Sequence, residues 1–138
     1  MYLLDTNVVS ELRRADRADA CVLAWSRAQP IGAQFVSIVT LMELEIGVLR
    51  AERRDPAQGA PLRAWLQHQV QSSFEGRALA VDQRVALRCA RLHVPDPAPE
   101  RDALIAATAL VHGMTLVTRN VRDFDGTGVR LINPWEPT

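Results

Sequence analysis

Apolar residues along the chain fall into short runs, separated by stretches in which they recur every third or fourth position. Tyr2 to Leu4 is a run of strand type, and Gln34-Phe35-Val36-Ser37, "ALAV" (78–81), "TLVT" (115–118) and "VRLI" (129–132) are four more. None shows a regular polar face, which is the pattern of strands covered on both sides. Between them the spacing turns helical. Val8 to Arg13 predicts a short helix, Ala18, Val22 and Trp25 mark a second over 18–27, and Leu41, Leu44 and Val48 a third running to about Arg54. Leu62, Leu66 and Val70 line a helix to about Phe74, Val85, Cys89 and Leu92 another that follows Asp82, and Arg101 to His112 an alanine-rich one closed by Gly113. "RDPAQGAP" (54–61), with two prolines and a glycine, predicts a break, and "PDPAPE" (95–100) a loop. Strands alternating with helices predict an α/β fold, a mostly parallel sheet of roughly four or five strands with helices on both faces. The expected organisation is one domain over residues 1–138.

Composition narrows the class. At 48% hydrophobic residues the chain is neither disordered nor a disulfide scaffold. No stretch approaches the ~20 apolar residues of a membrane span, and no basic segment followed by an apolar run opens the chain, so a cytoplasmic location with no membrane contact is expected. Cys21 and Cys89 have no CxxC partner and read as reduced core residues. All 16 basic residues are arginine, balanced by 16 acids. Zero net charge does not mark a nucleic-acid binder, so phosphate contacts would need local patches such as Arg13-Arg14 or Arg50 with Arg53-Arg54.

Ligands of open parallel sheets bind beyond the carboxyl ends of the strands. Asp5 stands there after the first strand. Ser37 and Thr40 follow the second, with Glu43 one turn further on, and Thr118, Asn120 and Asp123 follow "TLVT". Asp102 opens the helix leading into that strand. Each has a plainer role open to it. Asp5 could cap the next helix, Thr40 and Glu43 could form a capping box, and Asp102 could serve the helix dipole. Asn120 and Asp123 could make Asx turns. Together on one edge, however, the carboxylates suit a hard divalent cation, which takes oxygen ligands and relieves their mutual repulsion. His68, His93 and His112 share no metal-ligand spacing. Trp25 and Trp65 read as core, and Trp135 is expected to pack back on the domain or into a partner chain.

"LLDTNVVSEL" (3–12), "SIVTLMELEIGV" (37–48), "RDALIAATALVHGMTLVTRNVRDF" (101–124) and the ending "INPWEP" (132–137) resemble the PIN-domain family, more narrowly the VapC/FitB-type toxins of bacterial toxin–antitoxin pairs. The resemblance spans nearly the whole chain and is weakest over 51–95. It implies a metal-dependent endoribonuclease, a homodimer or larger assembly, and an antitoxin that obstructs the acidic pocket and itself contacts DNA. By motif, Asp5, Glu43 and Asp102 match the acidic triad that holds Mg²⁺ or Mn²⁺, with Glu43 ligating or orienting the water. Thr6 matches the small polar residue beside the first Asp, and Thr118 the hydroxyl beside the site. The fourth acidic position is Asn120 here, which offers a carbonyl but no charge; Asp123 is the residue that could compensate. Arg13, Arg119 and Arg122 are the arginines expected to hold RNA backbone. The alternative implied by Asn120 is a weakly catalytic module that works mainly inside an antitoxin-bound, operator-binding repressor.

Overall fold

The computed structural model describes residues 1–137. The strands are β1 (Tyr2–Leu4), β2 (Gln34–Ser37), β3 (Ala78–Leu79), β4 (Thr115–Val117) and β5 (Leu131–Ile132). All neighbours pair in parallel, in the order β3-β2-β1-β4-β5. Leu3 and Leu4 are adjacent and therefore point to opposite faces, yet each is at most 1% exposed. Burying such a side chain is worth about 1.5–3 kcal/mol. This pair anchors one core on each side of the sheet.

On one face, Leu4 packs with Val8 and Val9 of α1 (Thr6–Glu11), Val22 of α2 (Ala20–Ala28), and Leu44 and Val48 of α3 (Ile38–Arg54). On the other, Leu3 meets Ile105, Ala106 and Ala109 of α7 (Glu100–His112), whose alanines let the helix lie close to the sheet. Helix α6 (Gln83–Leu92) packs outside α7 through Val85 and Cys89. Asp82 caps α6 by accepting from Val85 N–H, and Gly113 closes α7 in the left-handed region at φ 65°.

The expected break at 54–61 is a correction. The chain turns only at Asp55, whose side chain caps α4 (Pro56–Trp65). Pro56 takes the first helical turn, where its missing N–H costs nothing, and Pro61 lies inside α4 on the solvent side. Gly59 is there for contact rather than turning: a Cβ would lie 2.6 Å from Glu52 Cα, so only glycine lets α4 approach α3 this closely. The helix then runs on through a π-helical turn (Leu66–Val70) into α5 (Gln71–Ser73).

Candidate active site

Strand order reverses around β1, which has β2 on one side and β4 on the other. The crevice at the carboxyl ends of β1 and β4 is the switch point at which open α/β sheets bind ligands. Asp5 follows β1 directly and is 6% exposed. Its Oδ1 accepts from Thr6 N–H at 2.8 Å, capping α1, and its Oδ2 accepts from Thr118 Oγ1, just past β4, at 2.8 Å. Capping and service in the site are thus shared between its two oxygens. Asn7 Nδ2 and Asn120 N–H both donate to Thr118 Oγ1, at 3.4 and 3.1 Å, which fixes that hydroxyl toward Asp5.

Glu43 enters from α3. The capping-box reading is corrected here: Ser37, not Thr40, caps α3, by accepting from Val39 N–H. That frees Glu43, one turn along the helix, to accept from Thr6 Oγ1 at 2.7 Å, while the Thr6 and Thr40 hydroxyls pair at 3.1 Å. Asp102 comes from the first turn of α7, where it also suits the helix dipole. Asp123 lies on a 3₁₀ turn (Val121–Phe124) and shares a small cleft with Asp102, Phe124 and Thr127.

Burial is the main force on the Asp5 and Asp102 carboxyls. It pushes Asp5 above its ordinary value of 3.8; the Thr118 and Thr6 hydrogen bonds oppose it, and the Glu43 and Asp123 charges add to it. Asp102 is raised as well, by desolvation first and then by Asp5, Asp123 and Glu43. The charges of Glu43 and Asp123 therefore act on both Asp5 and Asp102, and the four side chains offer only oxygen donors, the type hard divalent cations take. Among the described residues, no three of these carboxylates bring oxygens within 4.8 Å of one another, so they do not form a closed ligand set as they stand.

Asn120 is drawn in only by its backbone and is exposed, so of this pair it is Asp123 that adds a charge at Asp5 and Asp102, beside that of Glu43. Arg13 lines a groove of about 250 Å³ beside Glu43 with Thr6, Ser10 and Trp65. Arg119 lies over the Trp135 ring at 5.2 Å, and Trp135 in turn packs on the core, while Arg122 is exposed on the 3₁₀ turn. Sequence reasoning missed Arg101, whose Nη1 stands 3.8 Å from Glu43 Oε2. Its place directly before Asp102 was the available signal.

Comparison with known proteins agrees with this geometry. The PIN-domain family model matches residues 2–129. The chain is 36% identical to the VapC ribonuclease Y4jK of Sinorhizobium fredii, over 99% of each. It superposes on the crystal structure of FitAcB from Neisseria gonorrhoeae with a TM-score of 0.89 at 31% identity, covering 99% of both chains. On the structure of FitAB bound to an IR36 DNA fragment the TM-score is 0.85 at 30% identity, covering 100% of this chain and 98% of that one. With an all-parallel sheet of this order and an acidic crevice at its switch point, the chain belongs to the PIN-domain family, among homologues of VapC/FitB type.

Proposed function

We propose that this chain, as one nuclease domain, is a metal-dependent endoribonuclease and the toxin of a type II toxin–antitoxin pair. The observation that carries the reading is buried Asp5 at the switch point, its carboxylate held by Thr118 Oγ1 and Thr6 N–H, with Glu43 brought to the same place through Thr6 Oγ1. Asp5, Asp102 and Glu43 would hold Mg²⁺ or Mn²⁺, with Asp123 as the fourth oxygen donor in place of Asn120. When bound, such an ion supplies activation of water and neutralisation of charge at a phosphodiester.

The chain's own residues orient this set. Thr118 and the Thr6 N–H aim Asp5, and Thr6 Oγ1 aims Glu43. Arg101 stands at the outer oxygen of Glu43, where it can trade that carboxylate for an RNA phosphate. Arg13 on the neighbouring groove, with exposed Arg119 and Arg122, extends the same grip along the backbone. Zero net charge limits sequence-independent affinity for long RNA, which comes largely from counterion release.

The proposed partners are a cognate antitoxin and a second copy of this chain, in a dimer or larger assembly, with DNA reached through the antitoxin. The solved relative bound to a DNA fragment supports that arrangement. It equally favours the second reading, a weakly catalytic module inside an operator-bound repressor. No helix among the described residues is long and apolar enough to cross a membrane. The deciding experiment incubates partner-free protein with structured RNA and Mn²⁺ or Mg²⁺. Cleavage lost both in EDTA and in Asp5→Ala establishes the enzyme; equal residual cleavage by wild type and Asp5→Ala leaves the binding module.

A further inference from the structure

Away from the acidic crevice, a second group of side chains has donor atoms close enough to share an ion. Cys89 on α6, His93 just past its end and Glu100 in the first turn of α7 bring Sγ, a ring nitrogen and a carboxylate oxygen within 4.8 Å of one another. Sγ stands 3.8 Å from His93 Nε2, which stands 3.3 Å from Glu100 Oε2. Ligands ~2.0–2.3 Å from a tetrahedral zinc are themselves roughly 3.3–3.8 Å apart. Two of the three edges thus already have the lengths of such a site, and the third is no longer than 4.8 Å.

Its chemistry differs from that of the crevice. One sulfur, one imidazole and one carboxylate suit a borderline-soft ion and not Mg²⁺. Cys89 and His93 are four residues apart, which puts them on one side of α6, facing α7. Cys89 is 3% exposed, whereas the Glu100 side chain is 70% exposed, so an ion could enter from solvent past Glu100.

We infer that Cys89, His93 and Glu100 form a second cation site, for Zn²⁺ or a divalent ion of similar size and softness, which clamps the end of α6 to the start of α7. Water fills the fourth position. In the metal-free chain Ala98 N–H donates to His93 Nδ1 at 3.1 Å, so the ring proton is on Nε2, facing Glu100. An ion at Nε2 requires that proton on Nδ1, and the Ala98 N–H must turn away. The Cys89 thiol proton leaves to solvent as the sulfur–metal bond forms, while Glu100 supplies a carboxylate oxygen. Ala98 lies in "PDPAPE" (95–100), two residues before Glu100 and four before Asp102. Filling the site therefore resets the segment that delivers Asp102 to the crevice.

The test titrates the full chain, stripped of metal by chelator, with Co²⁺ as a spectroscopic stand-in for zinc. A thiolate-to-cobalt charge-transfer band and tetrahedral visible bands should saturate at one equivalent, persist in excess Mg²⁺ and vanish on adding Zn²⁺. Cys89→Ser should abolish the charge-transfer band. Glu100→Gln, at a position too exposed to threaten folding, should weaken binding by at least the roughly tenfold that even an outer-shell partner costs. Cys21→Ser and Asp5→Asn should leave the band in place, and the Ala98 amide resonance should move with occupancy. Absence of the charge-transfer band, its survival in Cys89→Ser or its loss in Cys21→Ser overturns the site, leaving a His93–Glu100 hydrogen bond over a core thiol.

Discussion

Replacing Asp5 by Asn separates the two roles of this side chain. The amide keeps an oxygen to cap α1 through Thr6 N–H, but its nitrogen cannot accept from Thr118 Oγ1, which already takes the Asn7 and Asn120 donors, so that hydrogen bond is given up. Also lost is a charge that burial and the neighbouring Glu43 and Asp123 already disfavour, and its relief offsets the missing hydrogen bond. The metal-free variant should therefore unfold within about 1 kcal/mol of wild type. A ligand that binds only the folded state stabilises it by about 1.4 kcal/mol at ten times its Kd and about 2.7 kcal/mol at a hundred times. Unfolding entropy is about 2.1 cal/mol/K per residue, or about 0.29 kcal/mol/K for 138 residues. Saturating Mn²⁺ should thus raise the wild-type Tm by about 5 to 9 °C and leave the Asp5→Asn variant nearly unmoved. Differential scanning fluorimetry on chelator-treated protein, with Mn²⁺ added back, reads both numbers. An undiminished metal shift in the variant removes Asp5 from the ligand set. A metal-free Tm lower than wild type by more than roughly 3 °C makes its charge structural instead.

The remaining predictions concern the same crevice. Both raised carboxyls favour the protonated form in the folded state, so their contribution is fully present below about 3.8 and is lost as pH rises through the folded-state values. Metal-free wild type should accordingly lose stability relative to the Asp5→Asn variant as pH is raised from about 4 to 7. Paired melting curves across that range check it, and a flat or inverted difference refutes it. Asp123→Asn should weaken Mn²⁺ binding, measured by calorimetry, by about tenfold or more, whereas Asn120→Ala should change it by less than about threefold. The reverse order would return the fourth position to Asn120.

Much of the architecture was legible in residues a few positions apart, because strands, caps and helix ends are closed by local hydrogen bonds. The run Gln34–Ser37 is β2, Asp82 caps α6, and Gly113 ends α7, as the local pattern predicts. The sheet edge that holds Asp5, Glu43 and Asp102 also follows from the alternation of strands with helices. Three-dimensional packing decided the rest. The proline-rich stretch turns only at Asp55, and within the helix that follows Gly59 packs against the backbone of Glu52, a contact no local pattern announces. Thr40 has the spacing of a capping box, but Ser37 took the cap, and Glu43 went to Thr6 on another element. That the charge of Asp123 acts on Asp102, and that Arg101 reaches Glu43, depends on how α7 and the 3₁₀ turn lie beside β1 and β4. The Cys89–His93–Glu100 group likewise exists only because α6 and α7 pack together. Sequence by itself determined which carboxylates come to the edge. Only the sheet order β3-β2-β1-β4-β5 decided which of them face one another, since electrostatic coupling follows distance in space and not position along the chain.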